Sequence, residues 1–507
     1  MAGPRVLAAA AGVAAVVLGA GVGELVAGLF VPGASPIAVI GGALIDAAPA
    51  WAKDAAIGLF GTADKLALVV GIALVLGLVA AAAGLLEARF PPWGRVAVLT
   101  LGAVGALIAP TRPDAGTFWW VPSAVAALTA ALALRPLVRL TEAESDAGEQ
   151  PGIDRRRFLV YGGAAAAAGV LAALGAAALQ SGRQAASAVR EAITLPRPAK
   201  TMPPVPATAD LGIDGLAPVV TPNSDFYRID TALIVPTVEA QTWTLRIHGM
   251  VEHELTLTWD ELLALPLQES ATTLVCVSNE VGGDLIGNAV WLGYPIRELL
   301  ARAKPTAQAD MVLSRSIDGF TASTPLEVLT DDRDAVLAVG MNGEPLPAEH
   351  GYPVRMVVPG LYGYVSATKW VTELEVTRFD AATAYWTDRG WSARGPVKLE
   401  SRIDVPRAGS RVTAGDTVIA GVAWQQHTGV AGVEVQIDEG DWMPAALATA
   451  ISDDTWVQWS LPWRATSGDH TLRCRAMSAE GEVQTAQVAP PAPDGATGWH
   501  AVQVSVA

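Results

Sequence analysis

Apolar residues fall along this chain in two regimes. The first 190 residues carry them in long blocks, roughly Val6–Phe30, Leu66–Leu86, Val96–Pro110, Phe118–Leu134 and Phe158–Leu179. Each block is near the ~20 residues that cross a bilayer as a helix, although the third is short and ends at Pro110. From about Asp210 the blocks give way to alternation. Thr242–Gly249 alternates like a strand closing in a turn, and Leu255–Thr258 reads as a second strand. Trp259–Leu265 reads as a short helix with Thr258 as its cap. Thr272–Cys276 is an apolar, β-branched run that delivers a cysteine to its end, and the polar loop Val277–Gly283 follows. Further on, Val412–Ala423, Val430–Ile437 and Trp456–Leu461 have the spacing of a β-sandwich. The proline-rich stretch Leu195–Pro206 between the two regimes predicts an extended spacer lifting the polar half off the membrane.

Basic residues orient the five blocks. Arg5, Arg89, Arg95, Arg135, Arg139 and Arg155 to Arg157 all fall on one side if the N-terminus is cytoplasmic. The intervening loops hold little net positive charge, with Asp46, Lys53, Asp54, Asp64 and Lys65 in one, and Arg112 and Asp114 in the other. The positive-inside rule then places everything after Gln180 outside the cytoplasm. Asp154-Arg155-Arg156-Arg157-Phe158-Leu159 also resembles the twin-arginine export signal, which precedes an apolar segment. A plain positive-inside anchor is the competing reading. The acidic stretch Thr141–Gly152 would let the fifth helix act as a separate signal anchor. Glu24 lies inside the first block, where an ionisable residue suggests a site by default. Its place near the outer end favours contact with interfacial water instead.

Composition narrows the function. At 507 residues the chain is long enough for about three units of ~150 residues. Its net charge of −16 argues against general nucleic-acid binding, which needs basic surface. Two cysteines, Cys276 and Cys474, exclude a disulfide-dense scaffold and a thiolate-held iron–sulfur cluster. One disulfide between them stays open. No histidine precedes His248, so the apolar helices cannot supply a bis-histidine haem site. Cys276 has two readings on position alone: a buried small hydrophobe, or a thiolate presented to a ligand.

Several ordered strings carry a more specific signal. They are Thr-Leu-Val-Cys276-Val-Ser-Asn279, then Ile286 to Trp291-Leu-Gly293 and on to Leu300, then Met341-Asn342-Gly343-Glu344-Pro345-Leu346-Pro347, then His350-Gly351-Tyr352-Pro353-Val354-Arg355 and Pro359-Gly360, closed by Lys369-Trp370. This series resembles the molybdopterin domain of the sulfite oxidase family. The resemblance implies a mixed α+β fold, one molybdopterin, and a cysteine thiolate on molybdenum, which falls on Cys276. Thiolate is a soft ligand suited to such a metal. His350, Arg355 and Lys369 match positions that hold the pterin and its phosphate, with Ser366 a candidate in the same loop. Asn223-Ser-Asp-Phe226-Tyr227-Arg228 resembles, at a slightly different spacing, the segment bringing an arginine to the metal centre. Ala384-Tyr385-Trp386 resembles the active-site tyrosine segment, so Arg228 and Tyr385 are assigned to catalysis beside Cys276. The string Trp456 to Trp463, Gly468 to Arg475 and Glu480 to Gln484 resembles the family's immunoglobulin-like dimerisation domain, with Cys474 read as packing. One departure stands out. Sulfite oxidases place basic residues shortly after the ligand cysteine, whereas this chain has Glu280-Val281, and a carboxylate there repels a sulfite dianion.

The expected architecture is multidomain. A four-helix membrane region spans 1–140, and a cytoplasmic linker with the fifth helix spans 141–194. A proline-rich linker spans 195–209, an α+β molybdopterin domain 210–397, and an immunoglobulin-like sandwich 398–507. The expected activity is oxygen-atom transfer on a small molecule outside the cytoplasm. S- or N-oxide reduction, as in the related methionine-sulfoxide reductase family, is an alternative, and that family's lack of the sandwich tilts the expectation toward oxidation. A non-catalytic membrane scaffold that retained the fold is a second one. The expected cofactor is one molybdenum–molybdopterin, without haem or an iron–sulfur cluster in this chain. Expected partners are a separate electron carrier such as a cytochrome, the membrane, and a second copy through the C-terminal domain, with no nucleic acid.

Overall fold

The computed structural model describes residues 4–48, 64–112, 115–141, 155–185, 193–232 and 234–507. The chain divides into two compact units, one helical and one β-rich.

The helical unit contains α1 (Pro4–Phe30), α2 (Pro36–Ala47), α3 (Asp64–Arg89), α4 (Trp93–Ile108), α5 (Val121–Arg139) and α6 (Arg155–Ala185). All but α2 contain a stretch long and apolar enough to cross a membrane. Glycines let α1 approach its neighbours at backbone distance. A Cβ on Gly12 would meet the Ala80 carbonyl of α3, and one on Gly21 would meet the Gly169 carbonyl of α6. Small residues at such crossings are how apolar helices associate without a hydrophobic drive between them. Glu24 is used differently from the expectation of solvent contact. Its carboxylate accepts the Ser35 hydroxyl (2.9 Å) and the Ile37 N–H (3.1 Å), and Ser35 in turn accepts the Ala38 N–H. The acid therefore satisfies the first turn of the short helix α2, whose amides have no partner within the helix. Glu87, fully buried, accepts both the Nε and the backbone N–H of Arg95 (2.9 and 3.1 Å). The motif residue Asp154 lies outside the described residues, while Arg156 and Arg157 are exposed at the start of α6.

The β-rich unit begins with β1 (Thr244–Gly249), β2 (Leu255–Thr258), α7 (Trp259–Leu263), β3 (Gln268–Val275), β4 (Ile286–Pro295), α8 (Ile296–Ala303), β5 (Met311–Ser316), β6 (Thr321–Pro325), β7 (Val336–Met341), β8 (Glu344–Pro345), β9 (Arg355–Val357) and β10 (Val371–Thr377). One sheet has the order β2-β1-β10-β5-β6, the other β3-β4-β7-β8, with β9 pairing on β7. The short helix α7 starts with a capping box: the Thr258 hydroxyl accepts the Glu261 N–H while the Glu261 carboxylate accepts the Thr258 N–H. Asn342 and Gly343 have φ of 52° and 82° between β7 and β8, the left-handed pair that a tight hairpin needs. The Asn342 side chain also bonds the Val290 N–H, the Thr221 carbonyl and the Asn223 amide oxygen. It thereby fastens the 221–223 segment to the sheet that carries the candidate cysteine.

The C-terminal part folds as two packed sheets, built from β11 (Glu400–Val405), β12 (Arg411–Val412), β13 (Gly415–Trp424), β14 (Val430–Ile437), β15 (Met443–Pro444), β16 (Ala446–Leu447), β17 (Val457–Ala465), β18 (Gly468–Ser478) and β19 (His500–Val506). Their orders are β11-β13-β17-β16 and β12-β19-β18-β14-β15. Cys474 faces inward from β18, fully buried, and both cysteines are free thiols. The disulfide left open from the sequence does not form.

The proline-rich stretch, read as an extended spacer, docks at its start on the β-rich unit. It is extended, but the Ala199 N–H bonds the Leu267 carbonyl (2.7 Å) and Lys200 accepts the Glu269 N–H (2.9 Å). Ile193 and Leu195 pack on the main core. Prolines favour extension, and an extended backbone with a free carbonyl can join a strand edge, which is what this segment does at the start of β3.

Candidate active site

Strand β3 is buried on both faces along nearly its whole length, although Gln268, Ser270, Thr272 and Thr273 on it are polar. Cys276 follows its last residue and is 8% exposed. Its N–H donates to the Leu285 carbonyl (2.9 Å), and its carbonyl accepts the Asn279 N–H (3.0 Å). The Asn279 amide oxygen accepts the Leu285 N–H (2.8 Å) and closes the loop that holds the thiol in place. Burial pushes the Cys276 thiol above its ordinary range, opposed by hydrogen bonds from Ser278 and by the Lys369 charge. An isolated thiol here is neutral, so a thiolate at this position needs a cationic partner such as a metal.

Tyr227 is half-buried near this cysteine. Burial raises its phenol far above the usual range, with a further rise from Cys276 and a counter-effect from Arg355. The hydroxyl therefore stays a neutral hydrogen-bond donor at working pH. Tyr362 behaves alike, raised by burial and then by Glu400, with a smaller effect of Cys276. Neither tyrosine was singled out from the sequence. Tyr227 directly precedes Arg228 in an irregular segment, where no periodicity reveals which neighbour points inward.

The other predicted residues divide into two groups. His350, Arg355, Lys369 and Arg228 come together. The His350 Nε2 lies 3.1 Å from the Asn223 carbonyl, which can only accept, so Nε2 carries the proton. Burial and the charges of Lys369 and Arg355 lower its pKa to about 4, which leaves Nδ1 as an unprotonated acceptor. That Nδ1 is buried and has no hydrogen-bond partner. Arg355 lies 5.0 Å over the Trp291 ring and donates to the carbonyls of His350, Met356 and Ala367. Burial lowers its pKa to about 10, still protonated at neutral pH. Lys369 donates to Asp230 (3.0 Å) and to the Glu349 carbonyl (2.9 Å), and burial lowers its pKa to about 8. Arg228 also bonds Asp230, through Nε at 2.9 Å. Asp230, missed from the sequence, thus joins two of the predicted cations.

Ser366 and Tyr385 are placed otherwise. The Ser366 hydroxyl is buried and donates to the Tyr362 carbonyl (2.9 Å), within its own turn. Tyr385 sits in an aromatic group with Phe320 and Trp386, under the Arg389 guanidinium, and its N–H bonds Thr321. Ser366 thus meets the Cys276 group only through the Tyr362 backbone.

Residues 232–386 match the family model described as the oxidoreductase molybdopterin binding domain. The oxidoreductase YuiH of Bacillus subtilis, itself described as uncharacterized, is 33% identical over 162 residues, covering 32% of this chain and 78% of that protein. Mitochondrial sulfite oxidase from Rattus norvegicus is 28% identical over 320 residues, covering 54% of this chain and 58% of its own length.

This chain belongs to the sulfite oxidase family.

It spans 58% of the length of the rat and human sulfite oxidases. Among solved structures, the sulfane dehydrogenase SoxCD of Paracoccus pantotrophus aligns at 24% identity with a TM-score of 0.49, over 57% of this chain and 82% of that one.

Membership implies a molybdenum–pterin cofactor, and the residues present fit one. Arg355 is a buried cation with no carboxylate partner among the described residues. A desolvated guanidinium in that state calls for an anion, and the phosphate of a pterin is one. The orphaned His350 Nδ1 offers an acceptor, and the buried Asn279 Nδ2, equally without a partner, offers a donor.

A buried acid lies close behind this site. Glu400 on β11 is 4% exposed, its Oε1 has no partner, and burial raises its pKa to about 8 against an unperturbed 4.5, with Lys398 opposing. The folded chain holds this proton more tightly than the unfolded one. The associated stability is complete below about pH 4.5, declines as pH rises, and is lost above about pH 8. Glu400→Gln should therefore stabilise the protein by ~2–4 kcal/mol at alkaline pH, with little effect near pH 5. Thermal unfolding of both proteins from pH 5.5 to 8.5 checks this. A constant difference across that range would contradict it.

Proposed function

We propose that this protein is a membrane-anchored molybdenum oxidoreductase that transfers an oxygen atom to or from a small substrate outside the cytoplasm. The observation that carries this reading is a buried thiol, Cys276, at a strand end within electrostatic reach of Lys369, Tyr227 and Tyr362. The cofactor, when bound, supplies a metal that changes oxidation state by two electrons and carries the oxygen. Cys276 would ligate that metal, and His350, Arg355 and Lys369 would hold the pterin and its phosphate. Ser366 contributes by fixing the 361–366 turn, and Tyr227 donates a hydrogen bond on the metal side. Arg228 and Tyr385 line the approach of substrate. The electrons leave through a separate carrier such as a cytochrome, and the sandwich pairs two copies.

Charge favours a substrate other than the sulfite dianion. Arg228 is already engaged by Asp230, and the exposed Glu280 follows Cys276 on its loop. Both reduce attraction for a dianion, which supports a neutral sulfur compound as the oxidisable substrate, or an S- or N-oxide as the reducible one. An anaerobic screen with sulfite, dimethyl sulfoxide and trimethylamine N-oxide, read through dye reduction or oxidation, tests the reading. Turnover of a neutral oxide above that of sulfite is expected, and turnover of sulfite alone would overturn the charge argument.

The N-terminus is cytoplasmic in this reading and the catalytic unit is exported through the pair beginning at Arg155. A cofactor assembled in the cytoplasm requires a route that carries folded protein. Changing Arg155, Arg156 and Arg157 together to lysine keeps the positive-inside charge. We expect it to strand the catalytic domain inside, protected from protease added to spheroplasts. Wild-type cleavage in this variant would make α6 an ordinary anchor.

A further inference from the structure

Strand β3 is an edge strand of its sheet; the 199–200 segment covers the start of its outer edge, and the C-terminal sandwich meets it at Thr273. Thr273, three residues before Cys276, donates its N–H to the Asp454 carbonyl (3.0 Å) and accepts the Gln426 amide on its own carbonyl (3.0 Å). Its hydroxyl accepts the Trp456 N–H (2.8 Å). The sandwich also reaches the loop after Cys276. Arg402 on β11 donates Nη1 to the Gly283 carbonyl (2.8 Å) while Asp404 holds its Nε at 2.6 Å. His500 at the start of β19 accepts the Ile403 N–H on Nδ1 (2.9 Å). Its ring lies where a Cβ on Gly282 would stand, at a glycine with φ of 79°. The strand before the cysteine and the loop behind it are thus both gripped by one neighbouring domain.

We propose that the sandwich is a positioning part of the metal site, with Arg402 and His500 as the residues that fix the 277–283 loop and hence the place of the Cys276 sulfur. This rests on the reading of Cys276 as the molybdenum ligand. Each acts through backbone: Arg402 on the Gly283 carbonyl and His500 against Gly282. A loop held only by its own bond between Asn279 and Leu285 would open more often, because local opening follows the bonds that must break. The grip is also charge-assisted at Gly283, the stronger kind of hydrogen bond.

The test uses the full chain in detergent, prepared without cofactor, with iodoacetamide as probe and mass spectrometry to separate Cys276 from Cys474. Arg402→Lys keeps the pair with Asp404 but lacks the guanidinium fork, and His500→Ala removes the ring from Gly282. Val435→Ala, in the sandwich core and away from the loop, is the control for general loosening. We expect Cys276 alkylation to rise about tenfold or more in the first two variants, as loss of one such bond does to an opening equilibrium. The control should stay at the wild-type rate. Wild-type rates in both clamp variants, or an equal rise in the control, would overturn the proposal. Molybdenum content of Cys276→Ser reports separately on the ligand reading: a fully loaded serine variant would end that reading, while the alkylation rates would still decide the clamp.

Discussion

Cys276→Ser is expected to abolish turnover, by more than ~10³-fold, well beyond the ~10–100-fold that losing an outer partner of a metal site costs. A serine hydroxyl stays protonated at working pH and does not replace a thiolate on a soft metal. The fold should survive. The cysteine backbone makes its own bonds to Leu285 and Asn279, and these do not involve sulfur. A stability loss of only ~1–2 kcal/mol is expected, the ordinary range for a substitution that leaves a small polar group in a nearly buried place. Dye-linked activity, a thermal melt and recovery in the membrane fraction check the three parts. Full activity in this variant would remove the cofactor assignment.

Arg355→Met is expected to separate cofactor retention from stability. The guanidinium is desolvated and held by three carbonyl oxygens and the Trp291 ring, with no carboxylate among the described residues. Removing it from the cofactor-free protein relieves a buried charge while costing three carbonyls a donor, and these effects oppose each other. Little change in the melting temperature of the cofactor-free chain should result. The loaded protein should lose its pterin ~100-fold more readily, since a charge-assisted anion contact disappears. Pterin released on gel filtration, measured by fluorescence after oxidation, gives the retention. A variant that retains pterin like wild type would take Arg355 out of the binding set.

The apolar runs made the five long helices legible, because a block of ~20 apolar residues has few other stable destinations. The short helix α2 escaped notice, since it is too short to span and its first turn is completed by Glu24 from eleven positions away from Ser35. Alternation revealed β1 and β2, and Thr258 as a cap marked the helix after them, whose reciprocal bond from Glu261 the structure adds. Proline content reported the extension of the linker, whereas its docking depends on the backbone of Leu267 and Glu269 lying within reach and left no mark in the sequence. The motif strings brought out Cys276, His350, Arg355 and Lys369, and the fold gathers all four. Asp230, Tyr227 and Tyr362 stayed hidden because each matters through a tertiary neighbour, and the loops that carry them have no period to read. Tyr385 was read from a loop segment, and its aromatic neighbours Phe320 and Trp386 are tertiary contacts that such a segment does not show.

The most direct test of the central claim is the molybdenum and pterin content of the full-length protein, purified in detergent from cells that make the cofactor. The account predicts one molybdenum and one pterin per chain in the wild type, with molybdenum lost from Cys276→Ser. A folded wild-type protein without molybdenum, or a serine variant as fully loaded as wild type, would contradict it.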